Sequence, residues 1–360
     1  SLTSGRDNLA VGTEAGCDIT EGEGNTILGN EAGMKLTTEY QNTLVGFSAG
    51  RFVANWRNTL IGSNAGRCMT TGQGNIAIGD CAYRGDNSSA GTGDNNVVVG
   101  RQAVINACGA HNNVMMGFYS GYCLSSGNNN IGIGKCAMRG TSSVTGSLNI
   151  AIGHAAGCSL TSSILNTFVG HCAGKKATSG NFNVALGSYA IGNSILTGSG
   201  NVALGHYSGC SITSGQGNVT VGMSAGKIIA GGRDNIFLGR CAGDNVTSGD
   251  YNIAIGFLVD PTSATGDSTL NIGCSTSRWI TGDSNFKVGI SSNITAPRAE
   301  LEVAGSIHAN RFFQNPTSLD TTTSFPADGG AAVNGGVFGP YSINTGVTFT
   351  IGSGSTFTII

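Results

Sequence analysis

Eleven cysteines and five histidines are the side chains of this 360-residue chain that could bind a metal or act as nucleophiles. The histidines show no His-x-x-x-His pairing and the cysteines no Cys-x-x-Cys pairing, the spacings that are typical of zinc sites. We therefore expect no metal site and no bound cofactor. The histidines are His111, His154, His171, His206 and His308.

Two glycine-rich segments look like ligand-binding loops but miss the necessary residues. "GHCAGKK" (residues 170–176) is one residue short of a P-loop, and "GGRDN" (231–235) lacks the aspartates of calcium-binding nonapeptide coils. The 20 acidic residues do not recur at equivalent positions, so they offer no row of carboxylates for cleaving polysaccharides. The sequence predicts a protein that is not an enzyme.

The composition is rich in glycine and poor in charge, with 60 Gly, 5 Pro, 11% charged residues and a formal net charge of -2. Sparse charges of both signs provide no basic patch for nucleic acid. No apolar stretch is as long as a membrane-spanning helix. We expect a packed fold with many tight turns, no nucleic-acid partner and no membrane insertion.

One motif recurs along most of the chain: an asparagine, three mostly apolar residues and a glycine, usually at steps of 17 residues. A fixed period of this kind is typical of stacked repeat architectures. Decayed copies follow at Asn271 and Asn285. The regular asparagines are Asn8, Asn25, Asn42, Asn58, Asn75, Asn96, Asn113, Asn130, Asn149, Asn166, Asn183, Asn201, Asn218, Asn235 and Asn252.

A glycine stands four residues after each of these asparagines, where a tight turn needs either positive φ or a missing Cβ. Seven residues after the asparagine the chain usually has alanine, which suits a tight corner. The turn glycines are Gly12, Gly29, Gly46, Gly62, Gly79, Gly100, Gly117, Gly134, Gly153, Gly170, Gly187, Gly205, Gly222, Gly239 and Gly256.

The segments between asparagine and glycine, such as "TIL", "VVV" and "IAI", are short and rich in strand-forming residues. The rest of each repeat suits a turn, a shorter second strand and another turn. The sequence therefore predicts an all-β fold, a parallel β-solenoid with about fifteen coils of about 17 residues. Stacked coils would place the asparagines in a hydrogen-bonded ladder about 4.8 Å apart.

The strands are apolar at all three positions, which is typical of strands that are buried on both faces. We expect one face to fill the coil and the other face, with the smaller residues Ala, Thr, Gly or Leu, to pack against other chains. The sequence thus predicts a homo-oligomer about the long axis of the solenoid.

The unit "NIAIGHAAG" (residues 149–157) resembles the head repeats of trimeric autotransporter adhesins, and the resemblance covers about residues 8–256. It implies a left-handed β-roll and a homotrimer. The 17-residue step is longer than the commonest repeat of that family.

The segment "AELEVAGSIHANRFF" (299–313) resembles a segment found after the shafts of bacteriophage tail fibres and related virion proteins. The closing "VTFTIGSGSTFTII" is similar to the strand pair at the end of marine phage structural proteins. These resemblances imply a tail fibre or virion appendage, located in the virion and assembled in the host cytoplasm.

The repeat pattern divides the chain into three segments. Residues 1–260 form the solenoid shaft, residues 261–297 a transition with decayed repeats, and residues 298–360 a small C-terminal β region for trimer closure, tip or attachment. The opening "SLTSGRDN" reads like the end of one repeat, as in "SITSGQGN" (211–218). We expect further repeats or an anchoring segment upstream.

The odd number of cysteines favours assembly in a reducing compartment. Cys81, Cys136, Cys172 and Cys241 each stand six residues after a repeat asparagine, but the closest two are two coils apart. That distance is about 10 Å, too long for a disulfide within one chain. We expect them to be thiols.

Two coils carry insertions in the same loop, "YRGDNSSAGTGDN" (83–95) and "MRGTSSVTGSLN" (138–149). Insertions on one face of a solenoid can mark its binding side. Arg84, Asp86 and Arg139 are therefore candidate binding residues, with tolerated loop lengthening as the alternative. Arg84-Gly85-Asp86 spells an integrin-binding tripeptide, which chance explains as well.

Together these observations predict a trimeric phage fibre or appendage that acts as a rigid spacer and takes part in host attachment. Its expected partners are copies of itself, other virion proteins and a host surface glycan or protein. The alternative is the head of a bacterial cell-surface trimeric adhesin. A solenoid tailspike that degrades polysaccharide is a remote third hypothesis.

Overall fold

The computed structural model describes residues 4–85, 91–105, 108–291, 294 and 296–304, and the backbone of four short strands beyond them. All regular secondary structure in these residues is β-strand. The architecture can therefore be followed strand by strand from residue 9 to residue 303.

Fifteen short strands recur, and each begins at the residue after a repeat asparagine. They are β1 (Leu9–Val11), β2 (Thr26–Leu28), β3 (Thr43–Val45), β4 (Thr59–Ile61), β5 (Ile76–Ile78), β6 (Val97–Val99), β7 (Val114–Met116), β8 (Ile131–Ile133), β9 (Ile150–Ile152), β10 (Thr167–Val169), β11 (Val184–Leu186), β12 (Val202–Leu204), β13 (Val219–Val221), β14 (Ile236–Leu238) and β15 (Ile253–Phe257).

Each strand pairs in parallel with the equivalent strand of the next coil, so that Ile27 of β2 lies opposite Leu44 of β3. The same register is kept to β15, where Ile253 lies opposite Ile236. This arrangement confirms the predicted parallel β-solenoid. It has about 17 turns, slightly more than the predicted fifteen, because the stacking continues beyond Asn252.

The end of the solenoid departs from the repeat. The strands here are β16 (Leu270–Cys274), β17 (Ser277–Gly282), β18 (Val288–Ile290) and β19 (Leu301–Val303). Strand β16 still pairs in parallel with β15, but β16, β17 and β18 form an antiparallel meander. The decayed copy at Asn285 is therefore not a coil, because this residue lies in the turn between two antiparallel strands.

Contacts divide the chain into two compact units, residues 1–305 and 306–360. In the second unit the described strands form two parallel pairs: β20 (Ser318–Leu319) with β22 (Ser342–Ile343), and β21 (Thr323–Ser324) with β23 (Phe349–Thr350). The boundaries expected at residues 260 and 297 stay predictions.

The solenoid core consists of three columns of side chains. In the coil that begins at Asn25, they are the middle strand residue Ile27, the corner residue Ala32 and the later residue Leu36, all fully buried. Equivalent positions are buried along the solenoid. The stacked coils thus share one continuous apolar interior.

The expected orientation of the strands was wrong. The smaller middle residues, such as Ala151 and Thr220, point into the coil, whereas the first and third residues of each strand point outward and are half-buried or exposed. The interior of each coil also holds the corner residue and the later aliphatic residue, such as Ala32 and Leu36. The middle position accepts side chains as different as those of Ala151 and Phe168, both fully buried.

A regular second strand does not form in the described part of the solenoid. At its expected place are three isolated bridges, Met69 with Gly91, Leu124 with Val144, and Ala177 with Leu196. The rest of each coil consists of turns whose backbone groups bond to the next coil, as where the Gly33 amide donates to the Ala49 carbonyl at 2.9 Å. Turns alone satisfy these backbone groups, so a second strand is unnecessary.

The turn glycines combine positive φ with close backbone approach. Their φ values lie between 128° and 137°, a region that side chains rarely adopt. A Cβ on Gly170 would lie 2.7 Å from the backbone of Gly187 in the next coil. Both reasons that the sequence allowed for glycine therefore apply together.

Replacing a turn glycine should destabilise the solenoid strongly. We expect Gly170→Ala to lower the free energy of unfolding by about 2–4 kcal/mol, from backbone strain and overpacking against the next coil. Gly231→Ala is the matched control, because its Cβ would meet no atom closer than 3.5 Å. Urea unfolding followed by circular dichroism measures both. Equal effects of the two substitutions would contradict this explanation.

Candidate functional site

The repeat asparagines form a buried ladder along the solenoid. Asn25 Oδ1 accepts hydrogen bonds from the backbone amide of Asn42 at 3.0 Å and from its Nδ2 at 3.2 Å. The Asn42 Nδ2 also donates to the carbonyl of Asn55, at the other side of its own coil. Each asparagine thus links two coils and closes the coil to which it belongs.

The same backbone bond to the preceding Oδ1 occurs at every step from Asn8 to Asn252, with distances between 2.9 and 3.2 Å. Thr269 ends the ladder, because its amide and hydroxyl both donate to Asn252 Oδ1, at 3.1 and 2.7 Å. Asn271 lies two residues further on, as a buried strand residue opposite Ala254. In this decayed copy the ladder position is therefore residue 269, two residues before the asparagine that the sequence motif indicated.

Removal of one ladder asparagine should leave several buried polar groups without partners. Asn166→Ala removes the oxygen that accepts from the backbone amide and from the side-chain amide of Asn183. It also removes the side-chain amide that donates to the Gly180 carbonyl. We expect a loss of about 2–4 kcal/mol in the free energy of unfolding. The exposed Asn193 gives a control, Asn193→Ala, with a change within about 0.5 kcal/mol.

Chemical denaturation with both variants, at equal protein concentration, measures the difference. A ladder that matters for stability requires Asn166→Ala to unfold at clearly lower denaturant than Asn193→Ala. Coincident unfolding curves would show that the ladder bonds add nothing to stability.

An uncharged apolar face runs along the outside of the strands. It is formed by their first and third residues, and we call it the strand face. All fifteen third positions are apolar, and the first positions are apolar or threonine. Several of these side chains are about 40% exposed, among them Ile78, Ile152, Leu186 and Leu238. Monomeric proteins rarely leave so long an apolar surface open to water.

Large apolar residues also flank the strand face in three successive coils. Leu148, Leu165 and Phe182 precede their asparagines and are 49%, 42% and 56% exposed. Their φ values are 62°, 58° and 58°, which bulky residues adopt only at a cost. Bulky apolar side chains in a strained, exposed position favour a contact with another molecule.

The candidate binding residues are only partly brought together. Arg84 is half-buried, Arg139 is exposed, and both stand nine residues after their asparagines, in coils separated by two others. The Arg139 guanidinium lies 5.7 Å from the ring centre of Tyr119 and 5.9 Å from that of Tyr122. Asp86 lies outside the described residues. The structure thus groups Arg139 with aromatic side chains rather than with Arg84.

The four cysteines at the sixth position are thiols, as predicted. They occupy a turn residue with φ between 54° and 58°. Burial raises the pKa of Cys81 and of Cys241.

A cluster of possible metal ligands appears where two adjacent coils each carry a histidine. The rings of His154 and His171 stack at 5.2 Å with an interplanar angle of 14°. Cys172 Sγ lies 3.5 Å from His171 Nε2, and the ligand atoms of the three residues lie within 4.8 Å of one another.

The expectation of no metal site rested on spacing within one loop or helix, which does not reveal this cluster. Both histidines stand five residues after their asparagines, 17 residues apart. A comparison of equivalent positions in successive coils would have placed them together. In a solenoid, contact follows the repeat period.

No protein-family model matches this chain, and no curated protein sequence matches it significantly. The resemblance to adhesin heads and phage fibres therefore rests on the quoted residues alone. Within the described part of the chain, no helix is long and apolar enough to cross a membrane.

Proposed function

We propose that this chain is the shaft of a homotrimeric bacteriophage fibre or virion appendage, a rigid spacer that takes part in host attachment. The observation that carries the proposal is the uninterrupted asparagine ladder combined with the outward strand face. The ladder suits a structure of fixed length, and the strand face suits association of identical chains.

Stiffness follows from the ladder. Each coil is joined to the next by backbone bonds of the strand, by turn bonds and by the asparagine amide. Sixteen parallel strands at about 4.8 Å per step span about 70 Å. Bending this stack would stretch buried hydrogen bonds in every coil, which suits a spacer.

Association follows from the strand face. Three copies that pack these faces around a common axis would bury the outward residues of every coil in one apolar core. The face contains no charged residue between β1 and β15, so close packing leaves no unpaired charge in that core. The flanking residues Leu148, Leu165 and Phe182 would then contact a neighbouring chain.

The phage assignment is supported by the segment at residues 299–313 and by the thiols, which suit assembly in a reducing host cytoplasm. Other virion proteins would hold one end of the trimer. Host surface glycans or proteins would be contacted weakly by each chain and more strongly by three chains together. We expect no catalytic activity.

A bacterial surface adhesin is the second candidate, favoured by the "NIAIG" repeat. The genes next to this one discriminate between the two candidates. Portal, capsid or tail genes support the phage assignment, whereas an isolated gene that continues into a stalk and a membrane anchor supports the adhesin. Immunogold labelling of purified particles with an antibody against this chain tests the phage assignment directly.

The trimer is tested by light scattering in native buffer. We expect a mass of about 109 kDa, three times the chain mass of 36.2 kDa. The combined variant Ile133→Asp, Ile152→Asp and Leu186→Asp places three carboxylates in the apolar core and should shift the mass to that of one chain.

Ser142→Asp is the control, because Ser142 is exposed in an outer loop away from the strands and its change should leave the trimer intact. Circular dichroism shows whether each variant keeps its β structure. A wild-type mass of 36.2 kDa would contradict the trimer.

A further inference from the structure

We infer that His154, His171 and Cys172 form a surface site for a divalent transition metal ion of the zinc type. The site lies on consecutive coils, on the turn that follows strands β9 and β10. It is independent of the proposed function, since it needs only a single chain.

The fold places the three side chains on the same turn. His154 and His171 occupy equivalent positions one coil apart, so their exposed rings stack at 5.2 Å. Cys172, the next residue, has φ of 56° and is 2% exposed. Its sulfur lies 3.5 Å from His171 Nε2. Two exposed imidazoles beside one buried thiol leave a way in for an ion from solution.

A fourth side chain supports this arrangement. The ring of Tyr189, in the following coil, packs edge-on against His171 at 5.1 Å. Tyr189 also stacks on Tyr207, the following tyrosine, at 5.1 Å. Contacts of this kind orient metal ligands without binding the ion. Tyr189 therefore packs against the imidazole of His171.

Two imidazole nitrogens and one thiolate are the donors that Zn²⁺ and Co²⁺ prefer. Tetrahedral coordination at ordinary bond lengths requires ligand atoms roughly 3.3–3.7 Å apart. The three ligand atoms here lie within 4.8 Å of one another, and Cys172 Sγ and His171 Nε2 are already 3.5 Å apart. Binding requires the exposed imidazoles to rotate toward the ion. On binding, the Cys172 thiol releases its proton to solvent and the metal–sulfur bond forms. Water or a group from another molecule would take the fourth position.

Equivalent turns elsewhere in the chain lack this combination of ligands. Cys136 follows Lys135 and Cys241 follows Arg240, so a cation stands where His171 stands here. His206 precedes Tyr207, and the equivalent residue of the previous coil is Ser188. These turns have the same backbone and so supply matched controls.

Cobalt titration of the full chain tests the site, because Co²⁺ bound to a thiolate absorbs in the near ultraviolet. We expect one Co²⁺ per chain with this absorption, displaced by Zn²⁺. Cys172→Ser should abolish the thiolate absorption, and His154→Ala and His171→Ala should each weaken binding at least about tenfold. Cys241→Ser and His206→Ala should leave both the absorption and the affinity unchanged.

The opposite results would overturn the inference. No thiolate absorption in the wild type would mean that the two histidines only stack. Absorption that persists in Cys172→Ser, or that Cys241→Ser reduces equally, would place the cobalt on other cysteines. Circular dichroism of every variant separates loss of ligand from loss of fold.

Discussion

The structure depends on one hydrogen bond that every coil repeats. The backbone amide of each repeat asparagine donates to the side-chain oxygen of the asparagine in the preceding coil. These amides are buried, so they must find their partner at the same height in every coil. A shift of the register by one residue would put an apolar side chain in the polar position and leave the amides unpaired. Close stacking in turn imposes the turn glycine, because φ is near 130° and a Cβ would lie less than 3 Å from the next backbone. Hydrogen bonds at the asparagines and steric limits at the turns thus maintain the repeat.

The period, the strands and the ladder could be predicted because they depend on contacts between equivalent residues of neighbouring coils. The outward face could not, because a strand that is apolar at all three positions carries no alternation. Its orientation depends on Ala32 and Leu36, which reach the interior from other parts of the coil. Thr269 was missed as the last residue of the ladder because it is not an asparagine. The nearby Asn271 fits the sequence motif, but it lies opposite Ala254, two residues out of register.

Some coils have a large core residue at a position where most coils have glycine. The eighth position is usually a glycine, but in four coils it holds a buried Tyr83, Val104, Met138 or Ile191. The Tyr83 hydroxyl receives a 3.0 Å hydrogen bond from the Asn96 amide, and so joins the ladder itself. Two of these four coils are the ones with long insertions, 75–95 and 130–148. In these two coils a longer loop thus occurs together with a large buried residue at the eighth position, Tyr83 or Met138.

The central claim is that three such solenoids share their strand faces around one axis. Electron cryomicroscopy of the purified chain tests it most directly, through the cross-section of the rod. The account predicts a threefold cross-section with strands β1 to β15 nearest the axis and the insertion loops at the periphery. Single solenoids, or an assembly whose strand faces point toward solvent, would contradict it.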